Sequence, residues 1–203
     1  MKMLSKLTRL LVLFSVSFHL TAQSNSDGHI TLKTPKSLGA FSLEDHNGKK
    51  FDQEDIKGSW SMIFIGFTTC PDVCPATLSN LEAVRADMGL RMRPDSIPRI
   101  LFLAVDPDRD KPFLKEYLSY FHPEYIGITG SHEELGKLIK GIGAFYRLDK
   151  KYLTQIDYDV VHTAFVAIIN PGGEMIAKIN PPFNAHKTSD YLNNLIRGVV
   201  FDD

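Results

Sequence analysis

Two almost uninterrupted apolar runs constrain this chain more than any other feature. Residues 61–67 (SMIFIGF) and 99–105 (RILFLAV) carry too little polar alternation for strands with one wet face. Runs of this kind are expected of central strands covered on both faces, which requires helices above and below the sheet. The stretch between them supplies one, because Leu78, Leu81, Val84 and Met88 recur at helical spacing. A parallel pair of strands joined by a crossover helix follows.

The remaining elements extend this core. Residues 41–43 and 50–51 read as a short hairpin turning at Asn47-Gly48. Residues 110–121 read as a helix, with Asp110 as cap and Pro112 in the first turn. Residues 125–128 read as a short strand, and Ser131-His132-Glu133-Glu134 is a capping box opening another helix. Strands at 163–169 (TAFVAII) and 174–179 (EMIAKI) flank Pro171-Gly172-Gly173, and residues 188–197 close the chain as a helix. The order strand, helix, strand, helix, strand, strand, helix indicates the α/β class. It matches a thioredoxin-like fold: a central mixed sheet flanked by helices, with an N-terminal β-hairpin extension and one insertion. No linker interrupts residues 37–203, which are read as one domain.

Composition narrows the partners. Lys plus Arg number 23 against 24 Asp plus Glu, a net charge of -1 that gives no global attraction to nucleic acid or an anionic membrane. Residues 1–22 have the pattern of a secretory signal peptide. Lys2, Lys6 and Arg9 precede the apolar run 10–20 (LLVLFSVSFHL), and Leu20-Thr21-Ala22 partly matches a small-residue cleavage site. The run falls short of the roughly 20 residues that span a bilayer. Residues 23–36 are polar and read as a flexible lead-in. The expected location is outside the cytosol, in the periplasm or on a membrane facing it, where disulfides persist.

With only two cysteines, a disulfide-rich scaffold is excluded. Cys70 and Cys74 lie in GFTTCPDVCP (66–75), between the first central strand and its helix. Positions i and i+4 of a helix share a face, so both sulfurs can meet at one spot, with Cα atoms about 6 Å apart. The pair can close a disulfide or present two thiolates to one metal ion. A helix N-terminus favours thiolate over thiol. Two intervening residues would read as a thioredoxin-type redox pair; the three found here open the pair toward a soft cation. A purely stabilising disulfide is a weak reading, because so small a loop removes little entropy from the unfolded chain.

Two thiolates rarely complete a metal site. Of seven histidines, His162 stands in DYDVVHT (157–163), just before the strand at 163–169. In a thioredoxin-like sheet the loop before that strand faces the start of the first long helix, where Cys70 and Cys74 lie. Two thiolates and one imidazole suit copper, since thiolate selects Cu(I) and imidazole accepts either copper state; zinc accepts the same donors. The acidic run 106–110 reads as a strand-to-helix turn, with Asp108 or Asp110 capping and Arg109 pairing locally.

At these residues the chain resembles the Sco/SenC family of exported copper proteins that serve cytochrome c oxidase assembly. GFTTCPDVCP (66–75) is the most specific match. VDPDRDKP (105–112) is similar to a second family signature, and VHT (161–163) through NPGG (170–173) to a third. The resemblance implies a thioredoxin-like fold, with Cys70, Cys74 and His162 as copper ligands. It also implies a copper-accepting oxidase subunit as partner, any membrane contact running through that subunit or an uncleaved leader. Val161 stands where the family usually has an acidic residue. Two other functions share the cysteines: an exported thiol-disulfide oxidoreductase, with Cys70 and Cys74 as its catalytic redox pair, and a copper or redox sensor.

Overall fold

The computed structural model describes residues 28–151 and 158–198. In chain order the first elements are β1 (His29–Ser37), β2 (Ser42–Asp45), β3 (Lys50–Asp52), α1 (Gln53–Ile56), β4 (Ser61–Gly66) and α2 (Val73–Gly89). There follow β5 (Arg99–Ala104), α3 (Pro107–Asp110), α4 (Leu114–Ser119), β6 (Ile126–Thr129) and α5 (His132–Ile142). The chain continues with β7 (Tyr146–Leu148), β8 (Val160–His162), β9 (Val166–Ile169), β10 (Glu174–Ile179) and α6 (Ala185–Ile196).

The main sheet has the strand order β1-β10-β9-β4-β5-β6-β2-β3. β4, β5 and β6 are parallel, as crossover helices require, and the strands outside them pair antiparallel. Every residue of β4 is buried, and its alternation splits the core in two. Met62 and Phe64 pack with α2, α4 and α6 on one face. Ile63 and Ile65 pack with α5, Phe41 and Leu43 on the other. The expected mixed sheet between helices is therefore present, and the expected hairpin forms its far edge, turning through Gly48 at φ 78°.

Two expectations are corrected. Residues 29–36, read as part of a flexible lead-in, belong to β1, which pairs antiparallel with β10. The strand is mostly exposed and contains Pro35 and two lysines, composition that is tolerated, and protective, on a sheet edge. The helix expected at 110–121 is instead the two short helices α3 and α4, with Pro112, which lacks an N–H, between them. Among the described residues no helix is long and apolar enough to cross a membrane. The expected leader at 1–22 lies outside the described residues.

Candidate metal centre

The cysteine segment begins as a turn. After β4 ends at Gly66, the Cys70 N–H donates to the Phe67 carbonyl (3.2 Å) and α2 starts only at Val73. Cys70 thus precedes the helix, while Cys74 occupies its first turn, where Pro75 sacrifices no helical hydrogen bond. The Cys74 N–H points at Cys70 Sγ, 3.4 Å away, and both thiols are free. Cys70 is half-buried and Cys74 fully buried. Burial pushes the Cys74 thiol far above its ordinary value, with Cys70 and Asp110 adding to the effect. The expected lowering by the helix N-terminus is overridden there by loss of solvent.

Sheet topology brings His162 to the same end of the molecule. Phe64 of β4 pairs with Val166 of β9, so the end of β4 lies beside the start of β9. Phe67 and His162 overhang those ends and meet edge-on, ring centroids 5.8 Å apart. His162 closes the β7–β8 ribbon opposite Tyr146. Its Nδ1 lies 3.1 Å from the Thr163 carbonyl, which can only accept, so Nδ1 carries the proton and Nε2 keeps its lone pair. Burial holds the ring's pKa below the usual histidine value and so keeps it neutral, as a ligand must be.

The cysteines and the imidazole are neighbours through Phe67. Among the described residues no three His, Cys, Asp or Glu side chains converge tightly enough to hold a metal. The other described histidines are engaged elsewhere. His29 meets Thr188, His46 accepts from the Gly127 N–H, His122 accepts from the Glu124 N–H, His132 meets Tyr146 and His186 meets Asp87.

The acidic run, expected as a strand-to-helix turn, winds into the single helical turn α3 behind Asp106, and Arg109 pairs locally with Asp106, as expected. Its carboxylates, however, do not cap. Neither Asp108 nor Asp110 caps α3 or α4, and Asp110 reaches back to Thr68 in the cysteine loop. Tyr158, which sequence reasoning passed over, donates its hydroxyl to the fully buried Asp106. Only the three-dimensional pairing reveals either contact. A cleft of about 670 Å³ flanks the cysteine loop, lined by Thr68, Thr69 and Pro75 with the exposed Phe113 and Tyr120.

Comparison with known proteins shows the family and the fold. The family profile described as SCO1/SenC matches residues 31–197. Protein SCO2, mitochondrial, of Saccharomyces cerevisiae is 32% identical over 167 residues, covering 80% of this chain and 54% of that protein. The chain therefore spans about half the length of this relative. Yeast Sco1 with copper bound superposes with a TM-score of 0.75 at 29% identity, covering 82% of this chain and 91% of the other. Bradyrhizobium japonicum ScoI with copper bound gives 0.67 at 31% identity, covering 77% and 97%.

Proposed function

The chain belongs to the SCO1/SenC family, and we propose that it is an exported copper carrier for the assembly of cytochrome c oxidase. Copper is the cargo. Cys70 and Cys74 hold it as thiolates and His162 through Nε2, a soft donor set suited to Cu(I). The ion passes by ligand exchange to the copper-accepting subunit of the oxidase. The leader at 1–22 directs the chain out of the cytosol, where its partner is reached.

The observation that carries this reading is the Phe67–His162 contact, which holds a neutral imidazole against the loop bearing two free cysteines. Relatives of the same fold are solved with copper bound. A three-ligand set would leave the ion more open than a closed four-ligand site, which suits release.

A second reading is supported by the asymmetry of the pair. A half-buried Cys70 ahead of a buried Cys74 is the arrangement of an attacking and a resolving thiol, and would serve reduction of the oxidase subunit's own cysteines.

Cu(I) titration of the reduced protein against a chromophoric chelator tests both. The carrier reading expects one ion per chain, weaker binding in His162→Ala and none in Cys70→Ser or Cys74→Ser. Unchanged affinity in His162→Ala overturns the ligand assignment. Fast disulfide exchange with the oxidase subunit, without copper transfer, establishes the second reading instead.

A further inference from the structure

The turn at 106–110 touches both halves of the site and belongs to neither. On the cysteine side, Asp110 Oδ1 accepts from the Thr68 N–H (2.6 Å) and the Thr68 hydroxyl (2.8 Å), two residues ahead of Cys70. Asp110 Oδ2 accepts from the Asp106 N–H (3.0 Å), which closes the turn. On the histidine side, the Tyr158 hydroxyl donates to both oxygens of Asp106, at 2.7 and 2.9 Å. Arg109 Nε also pairs with Asp106, while its Nη1 donates to the Tyr158 carbonyl (3.2 Å). The guanidinium lies 3.8 Å over the Tyr158 ring. Tyr158 stands two residues before β8, which ends at His162.

A strand-to-helix turn does not need this. Capping would satisfy it with an exposed Asp turned toward its own helix. Here both Asp106 and Asp110 are completely buried, which is costly for carboxylates unless each is tied by several donors. The donors from outside the turn, Thr68 and Tyr158, come from the two segments that carry the thiols and the imidazole. A site whose ligands sit on separate loops binds weakly unless those loops are already ordered.

We infer that Asp106, Arg109, Asp110 and Tyr158 are positioning residues that fix the cysteine loop relative to the histidine strand, so that copper affinity depends on a cluster that never touches the ion. This rests on the copper reading above. Loosening the Tyr158 end frees β8 and carries His162 away from the thiols; the cysteine pair alone then holds the ion.

The test is a double-mutant cycle on the reduced full chain: wild type, Tyr158→Phe, His162→Ala and the double variant, titrated with Cu(I). Tyr158→Phe is expected to weaken Cu(I) about tenfold when His162 is present, the scale of losses around metal ligands. In the His162→Ala background it is expected to change affinity less than about twofold, because there is no imidazole left to position. With Cu(II), the thiolate charge-transfer band of Tyr158→Phe is expected to move toward that of His162→Ala. Arg109→Lys, which keeps the charge and loses the hold on the Tyr158 carbonyl, is a second variant with the same expected pattern. An equal loss in both backgrounds, the mark of general destabilisation, overturns the inference, as does unchanged affinity in Tyr158→Phe. If His162→Ala alone leaves affinity intact, the ligand assignment itself falls and the brace falls with it.

Discussion

His162 meets Phe67 edge to face, with ring centroids 5.8 Å apart, and through this contact the imidazole is held against the loop that carries Cys70. An edge contact of this kind is worth about 1 kcal/mol beyond its buried area. Phe67→Ala releases the ring and is expected to weaken Cu(I) binding roughly fivefold, the equivalent of that energy. Phe67→Tyr keeps the ring and should bind as the wild type does. Copper titrations of the two variants check this, and equal losses in both would refute it.

The two thiols differ in exposure and are expected to differ in reactivity. Cys70 is half-buried, whereas Cys74 is fully buried and its thiol is pushed upward by loss of solvent. The thiolate is the reactive species. Alkylation of Cys74→Ser, which reports on Cys70, should therefore run on the order of tenfold faster at pH 8 than alkylation of Cys70→Ser, which reports on Cys74. Equal rates would show that Cys74 is reached as easily as its partner.

Gly66 ends β4 at a point where no side chain fits. A Cβ added there would lie 2.6 Å from the Phe102 ring and 2.9 Å from Cys74 Sγ. Both neighbours are buried and cannot withdraw into solvent. Gly66→Ala is expected to destabilise the fold by about 1–3 kcal/mol, the usual range for overpacking. It should also displace Cys74, so that urea unfolding and copper affinity change together. Lower stability with unaltered copper binding would place the strain on Phe102 alone.

Tyr117 presents the opposite case. Its ring packs between Phe102 and Phe121, and its hydroxyl is buried with no hydrogen-bond partner among the described residues. A buried polar atom left unsatisfied costs about 1–3 kcal/mol. Tyr117→Phe keeps the ring contacts and removes that cost, so the unfolding midpoint should rise or hold. A clear fall would mean that the hydroxyl has a partner in solution.

How much of this was legible in the chain depended on how local each signal is. The central strands were plain because burial on both faces leaves a continuous apolar run, as β4 shows along its full length. The cysteine segment was legible from residue type and spacing. His162 needed the fold as an intermediate, because nothing in its neighbours marks it until β9 is set beside β4. β1 was not legible: an edge strand gains its order from the ladder with β10 and carries little apolar pattern of its own. The bonds from Asp110 to Thr68 and from Tyr158 to Asp106 join residues 42 and 52 apart in sequence. Spacing rules read helices and hairpins and do not reach such pairs. A buried carboxylate in a turn looks in sequence the same as an exposed cap.

Asp110 makes stability depend on pH in a direction opposite to most carboxylates. It is fully buried, and burial raises its pKa from 3.8 to about 6 despite the hydrogen bonds from Thr68 and Asp106. Between those values the folded protein holds a proton that the unfolded chain has released. The stabilisation is therefore complete below 3.8 and lost as the pH rises through about 6. In Asp110→Asn this dependence disappears, while the titrating groups that do not interact with Asp110 contribute equally to both proteins and cancel in their difference. The stability of the wild type relative to Asp110→Asn, from urea unfolding at about pH 7.5 and about pH 4, should rise by about 2–3 kcal/mol on acidification. A flat difference would show that the three hydrogen bonds hold the carboxylate ionised, and a difference of opposite sign that they outweigh burial.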